Sequence, residues 1–201
     1  MNLILGSASP RRLELLSKIN IIPNKIISPN VNETIEKNEL PLNYCKRIAL
    51  NKMKQFQNKF NDSIILTADT IAYTGRTIID KTEDRSIAFK NLQRLSGKRH
   101  RVSTSVCIRN LDNKIFKKTI TTSVSFKVLK KDDIENYMKT SEWQGVAGSY
   151  KIQGIAESFI KSINGSYSNV VGLPLLEVNN LLISAGYLSL IHISEPTRQL
   201  Q

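Results

Sequence analysis

Aromatic side chains are scarce in this chain: Phe, Trp and Tyr make up 6% of its 201 residues, with a single Trp. A nucleic-acid surface built on base stacking is therefore poorly supplied. There are two cysteines, Cys45 and Cys107, far apart and in no CxxC pair, which argues against a disulfide framework or a zinc ribbon. His100 and His192 stand in no HxxxH or HxE pattern, so a histidine metal site has no signature. No apolar run approaches the length of a membrane span. Met1-Asn2 leads straight into a short strand that breaks at Gly6, without a signal-peptide pattern. The GxxxxGK[ST] loop and the GxGxxG fingerprint are both missing. Acidic residues are outnumbered, with 17 Asp and Glu against 29 Lys and Arg, giving a net charge of +12. These absences describe a reduced, soluble, cytoplasmic protein whose charge favours acidic partners such as nucleotides, nucleic acid or anionic lipid. The lysines are scattered rather than gathered in one block, which counts against a nucleic-acid binder without removing that rival.

The most informative stretch that is present lies at the start. Leu3-Ile4-Leu5 is an apolar strand, Gly6-Ser7-Ala8 a small-residue turn, and Ser9-Pro10 a helix start with Ser9 as cap and Pro10 at the first helical position. Arg11 and Arg12 then fall in the first helical turn, where cations oppose the positive end of the helix dipole. Either the guanidiniums are solvated at an ordinary strand–helix junction, or an anion such as phosphate binds there.

The remaining pattern mixes strands and helices. Helices are expected over 10–19, 42–60, 84–95, 131–140 and 175–185, and strands over 64–66, 77–79, 101–108, 120–128 and 158–163. Lys25–Ile27 adds an extended piece before the polar loop 30–39, and residues 142–154 are glycine-containing and irregular. The expectation is an α/β fold with a mixed sheet flanked by helices, one domain over 1–188 with two lobes. Residues 189–201 carry no period and are expected to be a disordered or non-native tail.

Five further places can carry chemistry. Asp69 closes the apolar strand 64–66 in Thr67-Ala68-Asp69-Thr70, where it either caps the next turn or faces a ligand crevice as a base or metal ligand. Lys52 falls inside the apolar stripe Cys45, Ile48/Ala49, Phe56, so it either snorkels past the core or reaches an internal anion. Lys81 follows the short strand 77–79 and reads as a charged turn or a second phosphate contact. Glu33 reads, on its own, as a solvated loop acid. Gln153, in Ile152-Gln153-Gly154, offers a donor and an acceptor suited to a base edge.

Taken in order, Ser7-Ala8-Ser9-Pro10-Arg11-Arg12, Ala68-Asp69-Thr70, Leu95-Ser96-Gly97, Ala147-Gly148-Ser149-Tyr150, Ile152-Gln153-Gly154 and Gly165-Ser166-Tyr167-Ser168-Asn169-Val170-Val171-Gly172-Leu173-Pro174 resemble the motifs of the Maf family, nucleoside triphosphate pyrophosphatases also called septum formation inhibitors. The resemblance spans about residues 3–186. It implies an elongated, inosine triphosphatase-like α/β fold with a central cleft, often dimeric, and hydrolysis of a nucleoside triphosphate to monophosphate and pyrophosphate with a divalent cation, Mg²⁺ or Mn²⁺. It implies Asp69 as proton acceptor, Ser9, Arg12, Lys52 and Lys81 as phosphate ligands, and Glu33 with Asp69 as metal ligands. Arg11, Thr70 and Gln153 match the branch acting on dTTP, UTP and related pyrimidine nucleotides, rather than the branch preferring 7-methyl-GTP. The older family name also implies a role in cell division. The chain departs from the family pattern at Thr82, Ser149 and Glu142-Trp143-Gln144-Gly145.

Overall fold

The computed structural model describes residues 1–187; the tail expected over 189–201 lies outside the described residues. Leu3, Ile4 and Leu5 are buried on both faces of β1 (Asn2–Gly6), as befits an inner strand between parallel neighbours. Its partners are β2 (Lys25–Ile26) and the long β3 (Ser63–Thr74), both parallel to it. β4 (Thr77–Ile79) folds back on β3 across a turn at Gly75. β5 (Arg99–Arg109), β6 (Ile115–Phe126) and β7 (Ile160–Asn164) continue the sheet antiparallel. The result is a seven-stranded mixed sheet in the order β2-β1-β3-β5-β6-β7, with β4 beside β3.

Six helices accompany it among the described residues: α1 (Pro10–Ser17), α2 (Pro41–Lys54), α3 (Arg85–Leu95), α4 (Lys131–Tyr137), α5 (Tyr167–Val171) and α6 (Leu175–Ser184). α3 starts where Asp84 accepts hydrogen bonds from the N–H groups of Ser86 and Ile87. Buried Tyr44, Cys45, Ile48, Ala49, Lys52 and Met53 form one face of α2 at helical spacing. β6 alternates at its end, with Thr122, Val124 and Phe126 buried, but it stops at Phe126, and Val128, expected inside the strand, is exposed. One apolar cluster gathers Leu92, Val124, Phe126, Tyr150 and Phe159. Another joins β1, α1 and α6 through Leu5, Leu16, Leu66 and Leu182.

The largest departure from expectation is β3. The sequence predicts a strand ending near Leu66, because Thr67, Asp69 and Thr70 look like the polar end of an apolar run. The strand instead continues to Thr74 and is buried along nearly all of it. Each polar group has a partner: Thr67 Oγ1 donates to the carbonyl of Ala49 at 3.1 Å, and Asp69 and Thr70 bond within the site. Helices also end earlier than the periodicity suggests, α1 at Ser17 and α2 at Lys54. α5 was not expected.

The pairing of β3 creates an opening. β5 pairs with one edge over residues 65–73. On the other edge β1 stops at Gly6, opposite Thr67, and the pairing with β4 reaches back only to Ile79, opposite Ala72. Residues 68–71 therefore have a strand on one side and a gap on the other. Gly6 is needed at the rim, since a Cβ there would lie 2.6 Å from Thr67 Cγ2.

Candidate active site

The gap in the β3 edge is lined by the turn after β1, the loop before α2, the face of α2 and the turn after α5. Together they bound a cleft of about 220 Å³ that includes Ser9, Arg11, Glu33, Lys52, Lys81 and Gln153. Arg12 and Thr70 lie on its floor. Asp69 lines an adjoining hollow of about 230 Å³ that shares Glu33, Thr70 and Lys81 with the cleft. The expected site residues thus come together, with Asp69 reached from the side. Asp69 and Thr70 follow one another in a strand, so they face opposite sides of the sheet.

On the α2 side, Lys52 Nζ donates to Asp69 Oδ1 at 2.7 Å and lies 2.7 Å from Glu33 Oε1. The stripe of α2 carries Lys52 inward, so the choice left by the sequence falls to the internal anion. α2 also holds the loop that bears Glu33: Tyr44 Oη donates to the Glu33 carbonyl at 2.9 Å, and Arg47 binds the Thr34 carbonyl and both oxygens of Glu39. Partial burial pushes the Glu33 carboxyl up, but the hydrogen bond and charge of Lys52, then Lys81 and Arg12, outweigh it and hold its pKa below the ordinary value. Glu33 is not a free loop acid. Beneath Asp69, Cys45 Sγ donates to the Asp69 carbonyl at 3.3 Å, and burial pushes that thiol well up.

On the other side, Arg12 turns back under its own helix. Its Nε donates to the Gly172 carbonyl at 3.0 Å, Nη1 to Ser7 Oγ at 2.9 Å and to the Ala68 carbonyl at 2.8 Å, and Nη2 to Thr70 Oγ1 at 3.1 Å. Of the five N–H groups of a guanidinium, one remains for a ligand. The carbonyl at the unpaired edge of β3 is thereby satisfied by a side chain. Desolvation lowers the Arg12 pKa, and neighbouring Arg11 adds to this, against the pull of Asp69. Thr70 Oγ1 also contacts Thr104 Oγ1 at 3.0 Å and the Gly172 carbonyl at 3.2 Å, so its hydroxyl is occupied within the protein.

Ser9 is the first residue before α1, yet its hydroxyl makes no cap bond; its backbone N–H instead donates to Ser7 Oγ at 3.2 Å. Arg11 is half-buried, and desolvation lowers its pKa while Glu14 opposes. Lys81 is exposed as a residue and lines the cleft. Desolvation of its ammonium lowers its pKa, with Lys52 and Arg12 adding to this and Asp69 and Glu33 opposing. Gln153 is exposed at the rim.

Ser7, Thr104, Cys45 and the Gly172 carbonyl are site components that the sequence reading did not single out. Ser7 and Gly172 belong to the family-like motifs and Cys45 to the apolar stripe of α2, whereas Thr104, a small hydroxyl residue on β5, carries no pattern of its own. Among the described residues no three His, Cys, Asp or Glu side chains gather into a metal cage. No described helix is long and apolar enough to cross a membrane.

The family described as Maf-like protein matches residues 2–185. A protein of Anaplasma marginale (strain Florida) named nucleoside triphosphate pyrophosphatase is 43% identical over 191 residues, covering 95% of this chain and 96% of the relative. One of Zymomonas mobilis subsp. mobilis named dTTP/UTP pyrophosphatase is 45% identical over 186 residues, covering 92% of both. A crystal structure of a nucleoside-triphosphatase / dITP/XTP pyrophosphatase from Mycobacterium abscessus overlaps 63% of this chain and 74% of its own, at 12% identity and a TM-score of 0.39. With nearly its whole described length matched, the chain belongs to the Maf-like protein family.

Proposed function

We propose that the chain hydrolyses nucleoside triphosphates, dTTP and UTP and related or modified pyrimidine nucleotides, to the monophosphate and pyrophosphate. The observation that carries this is the convergence of Arg11, Arg12, Lys52 and Lys81 with two carboxylates at the gap in β3. A triphosphate carries about four negative charges, and preorganised cations in a partly dry cleft are the usual means of stabilising it and its transition state. The names of the curated relatives support the same reading.

Within it, Asp69 accepts the proton of the attacking water. It is buried at 2% exposure, yet among the described residues only one of its carboxylate oxygens takes a hydrogen bond. Ser9, Lys52 and Lys81 contact phosphate oxygens, and Arg12 adds its charge and one N–H. Glu33 and Asp69 would hold a divalent cation, Mg²⁺ or Mn²⁺. The donor set fits: two carboxylates completed by substrate phosphates and waters suit Mg²⁺ better than an all-protein cage does. When bound, the cation supplies charge neutralisation at the phosphates and lowers the pKa of a coordinated water. Gln153 and Arg11, at the rim, read the base and its neighbours. Thr70 shapes the floor through Arg12 and Gly172. Two lobes closing on the cleft, a homodimer and a cytoplasmic setting belong to the same proposal.

Hydrolysis in ¹⁸O-labelled water tests it. Attack at the α-phosphorus puts the label in the monophosphate; label in phosphate or pyrophosphate would mean attack at another phosphorus. Asp69→Asn is expected to lower turnover by about 10²–10⁴-fold, the usual range for a general base. Wild-type turnover in that variant removes Asp69 as the base.

A further inference from the structure

The two carboxylates of the site share a counter-ion that belongs to the chain itself. Lys52 Nζ is 2.7 Å from both Glu33 Oε1 and Asp69 Oδ1, so these oxygens aim at one point. Two carboxylates around one ammonium retain a net negative charge. A Mg²⁺ ion takes carboxylate oxygens at roughly 2.0–2.1 Å, and at this point it draws on the oxygens Lys52 already holds. The ammonium and the divalent ion cannot both occupy it.

The displaced group has few places to go. Lys52 is 9% exposed, and a buried ammonium without a partner is strongly unfavourable. Arg12 gives four of its N–H groups to protein oxygens and stays where it is. The cleft that Lys52 lines is open to an anion between Ser9, Arg11 and Lys81. We propose that Lys52 is a placeholder cation: it holds Glu33 and Asp69 together until a divalent ion binds them, and its freed ammonium then takes the phosphates of the substrate. The proposal rests on the metal reading of Glu33 and Asp69 given above. The consequence is a coupling between sites. Lys52 opposes the metal when the cleft is empty, and triphosphate relieves that opposition, so each ligand favours the other beyond direct chelation.

Mn²⁺ binding measured by titration calorimetry, without nucleotide, tests this in wild type, Lys52→Met and Asp69→Asn. Lys52→Met leaves the carboxylates facing each other without a counter-ion. It is expected to bind Mn²⁺ at least about tenfold more tightly than wild type, within the usual range of coupling between sites, and Asp69→Asn is expected to lose binding. Equal or weaker Mn²⁺ binding by Lys52→Met, with the dependence on Asp69 intact, overturns the placeholder role and leaves the metal reading standing. If none of the three binds Mn²⁺, alone or with an α,β-methylene triphosphate analogue, both are overturned. Should Lys52→Met fail to fold, the side-chain ¹⁵N resonance of Lys52 in wild type serves instead. It is expected to move at the Mg²⁺ concentrations where the ion binds, and a stationary resonance while Mg²⁺ binds refutes the displacement.

Discussion

Replacing Arg12 by Met separates a phosphate ligand from a fastener. A guanidinium that only awaited phosphate at a positive helix end would be a liability in the free protein, and removing it would leave stability unchanged or slightly higher. The structure assigns it four hydrogen bonds to Ser7, Ala68, Thr70 and Gly172. These tie the β1–α1 turn to the open edge of β3 and to the turn after α5. Hydrogen bonds to a charged group contribute about 1.5–3 kcal/mol each when taken singly. Two terms oppose their sum: the guanidinium no longer has to be desolvated, and its repulsion with Arg11 disappears. Met fills much of the stem volume, which limits the cavity cost. The net expectation is a loss of about 2–4 kcal/mol. For a chain of this size that lowers the melting temperature by roughly 5–15 °C. Thermal unfolding of the ligand-free protein, followed by circular dichroism, reads it directly. A melting temperature within about 2 °C of wild type refutes the fastener and returns Arg12 to a purely ligand-directed role. Arg12→Lys is expected to recover only part of the loss, because an ammonium cannot span the four acceptors.

His100 gives a pH test. Buried between Phe126 and Tyr150, with Nε2 2.7 Å from Tyr150 Oη, it has its pKa lowered by desolvation from 6.5 to about 4. The unfolded chain binds this proton first. The contribution is therefore complete above about pH 6.5, falls by about 1.4 kcal/mol per unit as pH drops, and levels off near pH 4. Urea unfolding of His100→Phe across that range is expected to show a flatter profile; an unchanged slope contradicts the buried neutral imidazole. Cys45 and Cys107 are both buried, and desolvation pushes Cys107 up to about 11 and Cys45 higher still. Neither thiol is expected to react with a maleimide at pH 8 until the protein is unfolded, and rapid labelling of the native protein would contradict their placement.

The parts of the site that were legible in the sequence are those set by local periodicity. Lys52 is the clearest case, because a helix of known phase fixes which way a side chain points, and the apolar neighbours of Lys52 fix what it points into. The turn after β1 and the Pro10 helix start are equally local. The local pattern points to Asp69 for an incomplete reason. The strand seemed to end before it, since four polar or small residues in a row suggest an exit from the core, whereas β3 continues and satisfies each of them with a partner from elsewhere. The gap beside Asp69 depends on where β1 and β4 stop along β3, which is a property of the assembled sheet. The fastening role of Arg12 was invisible for the same reason: its acceptors at Ala68 and Gly172 lie 56 and 160 residues away in sequence.

The most direct test of the central claim is a substrate panel. The purified protein would be given dTTP, UTP, CTP, ATP, GTP and 7-methyl-GTP in turn, with Mg²⁺ or Mn²⁺, and the products resolved as monophosphate and pyrophosphate or as diphosphate and phosphate. The expected result is turnover of dTTP and UTP to monophosphate and pyrophosphate. Preferential turnover of 7-methyl-GTP would contradict the selectivity assigned to Arg11, Thr70 and Gln153, and no turnover of any nucleotide would contradict the account of the cleft as a triphosphate-cleaving site.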